Sequence, residues 1–290
     1  MTVLRRAAVR RATPRRATPR RATVVVASLT LLVPALAACS SDDRAASSPT
    51  SSTPTDELAA TRERLAGRYA HYDVVAYEGD AMKTLIISYG FTDYEVVDGA
   101  LVSTDTFCFS EHRSDQPISV QMSDAATQAI RPVPVPVTVT VRSGRAGVAR
   151  PETPTGIGVR LADPANDPLP TDPADPRIAD DDRDGNPGVT ARVTVSPELA
   201  GDIYLARREI FAYDVDEQAD GTLTGSVRDR SEQLIIGATD PVFLTQAQWT
   251  QYPDPARSPI ILKPVEGEWD CARLRSERDR LFPPTPEVDW

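Results

Sequence analysis

Residues 84–109, TLIISYGFTDYEVVDGALVSTDTFCF, hold three short runs of β-branched and aromatic residues: Thr84 to Tyr89, Tyr94 to Val97 and Leu101 to Phe109. Gly90 and the pair Asp98-Gly99 divide them, and such residues between apolar runs mark hairpin turns. Tyr72 to Tyr77 supplies another run of the same kind just upstream. Further along, Val189, Ala191, Val193 and Val195 alternate with Thr190, Arg192 and Thr194. Asp202 to Tyr213 and Thr222 to Val227 flank an Asp220-Gly221 turn, and Glu232 to Gly237 follows. Successive strands joined by short turns predict a mainly β protein, an antiparallel meander that forms a barrel or a sandwich.

Helices are expected at the ends of this body. Thr53-Pro54-Thr55-Asp56 offers a capping residue, a proline at the first helical position and an early acid, and Gly67 suits a stop. A short N-terminal helix is therefore predicted over about 54–66, and a C-terminal one from Glu268 to Leu281, ended by Pro283-Pro284. Between Arg131 and Arg142, five valines alternate with Pro132, Pro134, Pro136, Thr138 and Thr140. In a strand those prolines would remove donors from one edge only, which suits an edge strand; polyproline II packing through the valines is the rival for 131–136. A Pro/Asp-rich loop is expected at about 150–187.

The 290 residues are 40% hydrophobic and 26% charged, which excludes both global disorder and a multi-span membrane protein. Residues 1–38 carry eight arginines and no acid, so the net charge of −10 leaves −18 on the remainder. A body that acidic repels nucleic acid and excludes it as a partner. Four Arg-Arg pairs within residues 5–21 precede an uncharged run of 15 residues, Val24 to Ala38, shorter than the ~20 a spanning helix needs. Basic region, short apolar run and small residues together read as an export signal.

The signal ends on Leu36-Ala37-Ala38-Cys39, followed by Ser40-Ser41-Asp42-Asp43. This resembles the lipobox of bacterial lipoproteins. The resemblance implies removal of 1–38 as a signal peptide, lipidation of Cys39, and a place in the bacterial cell envelope, lipid-anchored and facing outside the cytoplasm. Residues 39–55 are Ser/Thr/Pro-rich and read as a flexible tether, which leaves 56–290 as a single β-rich ectodomain. A helix running into Gly67-Arg68-Tyr69, then strands, then a terminal helix is similar to the lipocalin arrangement, with Tyr69 where that family has tryptophan. No ligand is carried over from it.

With Cys39 assigned to lipid, Cys108 and Cys271 remain, and in an exported protein the simplest expectation is one disulfide between them. Zinc at Cys108 and His112 is disfavoured, because strand residues four apart lie about 13 Å from one another. Catalytic motifs are scarce. No Gly-x-Ser-x-Gly or Ser-x-x-Lys occurs, and His71 and His112 are the only imidazoles.

Asp180-Asp181-Asp182-Arg183-Asp184-Gly185-Asn186 resembles the Asp-x-Asp-x-Asp-Gly calcium loops of EF-hands, dockerins and thrombospondin type 3 repeats. The resemblance implies Asp180, Asp182 and Asp184 as carboxylate ligands of a structural Ca²⁺, with Asn186 giving its backbone carbonyl. The twelfth position is Ala191 rather than an acid. The alternative is a solvated acidic turn leading into the strand at Val189. The sequence as a whole thus points to an envelope lipoprotein that touches the membrane through its lipid and binds a small molecule or protein without catalysis. An anchored hydrolase acting on envelope polymers is the competing expectation.

Overall fold

A computed structural model describes residues 54–79, 82–246 and 248–290; the expected signal peptide, Cys39 and nearly all of the tether lie outside them. A first helix, α1 (Pro54–Leu65), leads into β1 (Gly67–Glu78), β2 (Lys83–Val97), β3 (Ala100–Ser114) and the short β4 (Ser119–Met122). After α2 (Asp124–Gln128) come β5 (Val135–Pro136), β6 (Thr138–Arg142) and β7 (Arg145–Ile157). A long loop then reaches β8 (Val189–Ser196), β9 (Leu199–Glu217), β10 (Leu223–Asp229) and β11 (Glu232–Ala238). The chain closes with β12 (Thr250–Gln251), β13 (Pro259–Pro264) and α3 (Cys271–Leu281).

The strands form one antiparallel sheet of 13, curled into a half-barrel, with the main path β4-β8-β9-β10-β13-β1-β2-β3-β5. Two meanders are visible in that order, β1-β2-β3 and β8-β9-β10. What joins them is β13, which arrives from the far end of the sequence and inserts between β10 and β1. The pivot is β9, whose 19 residues are long enough to carry two partners on each edge. β8 and then β7 pair along one edge, β11 and then β10 along the other.

The β2–β3 hairpin turns at Asp98 (φ 51°) and Gly99 (φ 78°), the two successive positive φ values of a tight turn that matches strand twist. Further up this hairpin the register slips between Tyr89 and Gly90, leaving Cys108 as an extra residue on β3. Gly90 makes this possible, because any Cβ there would collide with the Thr106 carbonyl oxygen. The bulge also reorients side chains: Phe107 points into the half-barrel, while Cys108 and Phe109 face outward under α3.

Both faces of β1 are consequently buried. Tyr69, Val75 and Tyr77 join Tyr94, Leu101, Tyr213 and Leu262 inside the curl. Ala70, Tyr72, Val74 and Ala76 face outward and are covered by Trp269, Leu274, Leu281 and Phe282 from the C-terminal segment. Three expectations change. Gly90 is a bulge position rather than a turn, so Thr84 to Tyr89 and Tyr94 to Val97 belong to the single strand β2. The valine-proline segment is a strand for part of its length and switches partners, Val135–Pro136 on β3 and Thr138–Arg142 on β7, so it links the two arms of the sheet. The loop expected from about 150 begins at 158 instead, because β7 accommodates its prolines. Pro151 lies within a register shift. Pro154 faces Ile210, whose own N–H and C=O bond Ser231 and Arg230 on the opposite edge, so no donor is missed.

Candidate functional site

The inward face of β1 reads Tyr69, His71, Asp73, Val75, Tyr77, and its two polar members start a network that crosses the interior. His71 Nε2 lies 2.9 Å from Asp73 Oδ1, and Nδ1 lies 2.8 Å from Thr92 Oγ1. Thr92 gives its only proton to Asp105 Oδ1 at 2.7 Å, so it accepts from His71, and Nδ1 carries a hydrogen. Asp105 Oδ2 meets Arg150 Nε at 2.7 Å, and Arg150 also donates to the Phe211 carbonyl at 2.7 Å. Ser103 continues the chain to Tyr213 (3.1 Å) and Tyr213 to Tyr94 (2.9 Å). His71 is fully buried and Asp73 is 1% exposed. Burial pushes the Asp73 carboxyl up, against its hydrogen bond with His71, which pulls it down.

A second group sits nearer the other end of β1. Tyr77 donates to Asp229 Oδ1 at 2.5 Å and Ser231 to its Oδ2 at 2.7 Å. Burial, then the charge of Glu209, raises the Asp229 carboxyl. Arg207 bonds Glu209 at 2.6 Å and Gln233 at 3.0 Å. His112 faces this group with Nε2 buried and unpartnered. Burial and the charge of Arg207 lower it to about 4, so the imidazole is neutral at physiological pH.

Four carboxylates, two arginines and two histidines therefore converge inside the curl, and none of the acids or arginines was singled out by sequence reasoning. The carboxylates of Asp73, Asp105, Glu209 and Asp229 all have internal partners, and both nitrogens of His71 are occupied. Asp105, Arg150 and Glu209, with Arg131, Thr153, Thr155, Phe107 and Phe211, line a cavity of only about 20 Å³, the size for one water. Chemically, this is a network whose acids are internally paired and which fixes strand positions, with His112 Nε2 left over as a buried nitrogen that no hydrogen bond satisfies.

The aspartate loop is the other candidate. Asp180, Asp182 and Asp184 bring carboxylate oxygens within 4.8 Å of one another, and this triad can hold a metal ion. Local bonding shapes the cradle. Asp180 accepts from the backbone N–H groups of Asp184 (3.1 Å) and Gly185 (3.0 Å), while Arg183 and Gly185 take φ of 61° and 86° to wrap the chain round. Asp182 is 9% exposed, and its Oδ2 accepts from Thr190 N at 2.9 Å. Its Oδ1 is buried with no hydrogen-bond partner, so one carboxylate oxygen in the triad lacks the compensation burial demands. Burial, then the charges of Asp184 and Asp180, pushes its carboxyl up. A cation answers both deficits, and the all-oxygen donor set fits a hard one.

Asn186 stands beside this cradle with its backbone N–H and side-chain amide both donating to Asp184, at 2.8 and 3.1 Å. Ala191, at the twelfth position, is buried against Ile157 and Leu205 and contributes nothing. Cys108 and Cys271 are bonded, with Cα atoms 5.3 Å apart, which ties the first residue of α3 to the bulge of β3. Among the described residues no helix is long and apolar enough to cross a membrane. No protein-family model, curated protein or solved structure matches the chain.

Proposed function

We propose that this chain is an exported envelope protein anchored through lipid on Cys39, whose acidic β-rich domain binds a partner at its surface without catalysing a reaction. One observation carries the reading: of three cysteines, Cys108 and Cys271 are bonded to each other, and the remaining one closes the Leu36-Ala37-Ala38-Cys39 motif. Disulfides persist in oxidising compartments, which agrees with export. The filled interior supports binding at the surface rather than inside, and its internally paired acids speak against the anchored hydrolase. The ion of the aspartate loop is calcium in this reading: three carboxylates in a flexible loop with no His or Cys donor suit it better than magnesium, which demands near-ideal octahedral geometry. Metabolic labelling with a tagged fatty acid tests the anchor. Wild type takes up label and Cys39→Ser does not; labelling that persists in the variant removes the assignment.

A further inference from the structure

The side chains of the loop alternate. Asp180, Asp182 and Asp184 converge on the cradle, and Asp181 between them turns elsewhere. Its Oδ2 accepts from Gly158 N at 2.7 Å and Arg160 Nη1 at 2.9 Å, and its Oδ1 accepts from Arg160 Nη2 at 2.5 Å. Arg131 Nη2 lies 3.6 Å from the same Oδ1. Asp181 is the better-buried partner, 8% exposed at the side chain against 46% for Arg160 and 50% for Arg131. The surrounding backbone is stitched together as well: Asp181 N bonds Gly188 O, Ala179 N bonds Gly158 O, and Val159 bridges Ile178. Arg131 in turn lines the small cavity with Arg150, Asp105 and Glu209. The loop thus has a cation cradle on one side and an anionic clamp on the other, one residue apart.

We propose that a cation held by Asp180, Asp182 and Asp184 works through Asp181 as a clamp, fixing Arg160 and Arg131 where the loop meets the interior network. This rests on the reading of the loop as a cation site. Its support is Asp182, a triad residue only 9% exposed, whose Oδ1 is buried with no hydrogen-bond partner and so lacks the compensation that burial demands. Without the ion, three carboxylates in mutual reach repel and the backbone of 180–184 opens more often. With it, that backbone is pinned, and a rigid 180–184 segment holds the intervening carboxylate of Asp181 against its two arginines. Calcium occupancy then couples to the order of residues 130–133 and 158–160, which contribute no ligand to the ion.

Hydrogen exchange of the folded protein with and without calcium tests this, alongside terbium luminescence titration as a direct readout of the cradle. In wild type, protection of 158–160 and 130–133 rises about tenfold when calcium stands at about ten times its dissociation constant. Asp181→Asn keeps all three cradle carboxylates, so terbium binds it as before, but calcium no longer protects either segment. Arg131→Gln, at a half-exposed side chain, retains the response at 158–160 and loses it at 130–133. An equal calcium response in wild type and Asp181→Asn overturns the clamp, as does terbium binding without any change in protection. Absence of terbium binding to wild type overturns the cation reading itself and the clamp with it.

Discussion

Arg150 shows what a single buried charge does in this interior. It faces Asp105 at 2.7 Å, and both residues are nearly closed to water, so removing one partner leaves the other uncompensated. Arg150→Met is expected to destabilise the fold by about 3–5 kcal/mol, measured by urea unfolding. A loss below about 1 kcal/mol would mean the pair is solvated in solution. His112 makes a pH-dependent contribution of definite sign. Its imidazole is held at about 4 in the folded state against an ordinary value near 6.5 when unfolded. The unfolded chain therefore takes up the proton first. The stability this neutral histidine supplies is complete above about pH 6.5 and drains away as pH falls toward about 4. Wild type should lose stability faster than His112→Gln across that window, by up to about 1.4 kcal/mol per pH unit. Parallel profiles for the two proteins would assign the acid sensitivity to other groups.

At the scale of elements, α3 depends on what it covers more than on its own sequence. Asp270 caps it, accepting from Arg273 N at 2.8 Å, and only Leu274 and Leu281 of its residues are buried. The disulfide and the outward face of β1 hold it in place, helped by Arg278, which pairs with Glu111 on β3. Cys108 to Cys271 spans 163 positions, for which chain entropy sets an upper stabilisation of about 5 kcal/mol. Cys271→Ser should therefore cost about 2–5 kcal/mol in urea unfolding and red-shift the emission of Trp269, which is buried beneath Arg273. Unchanged stability would show that packing alone seats the helix. Its existence and both bonded cysteines were legible in the sequence, since the Pro283-Pro284 stop and the cysteine count need no tertiary partner. The bulge that turns Cys108 toward it was not, because a bulge is defined by its partner strand.

For the whole molecule, the tested quantity is the linkage between calcium and the fold. An ion bound only by the folded state at about ten times its dissociation constant stabilises by about 1.4 kcal/mol. For a domain of this size that raises Tm by about 3–6 °C. The double variant Asp182→Asn/Asp184→Asn should lose this calcium response and keep its fold. Equal response in both proteins, or none in either, leaves 180–188 as an acidic turn. The triad was legible because its spacing and glycine are contiguous in sequence. The role of Asp181 was not, because Gly158, Arg160 and Arg131 lie 21 to 50 positions away.

By itself the sequence determined the strand-rich class, the turn at Asp98-Gly99, the terminal helices, the cysteine pair and the acidic loop. Each depends on residues within a few positions of one another or on a simple count. The tertiary structure decided the sheet order, in which β13 joins the two meanders, and it decided which face of β1 lies inside. Alternation along that strand separates an apolar set, Ala70, Tyr72, Val74 and Ala76, from a mixed set containing His71 and Asp73, and by itself would turn the mixed set to solvent. The fold does the reverse. The C-terminal segment covers the apolar set, and the sheet curls around the mixed one, where Thr92, Asp105 and Arg150 satisfy its polar groups. Period tells two faces apart; only partners from distant strands determine which of them can afford to be buried.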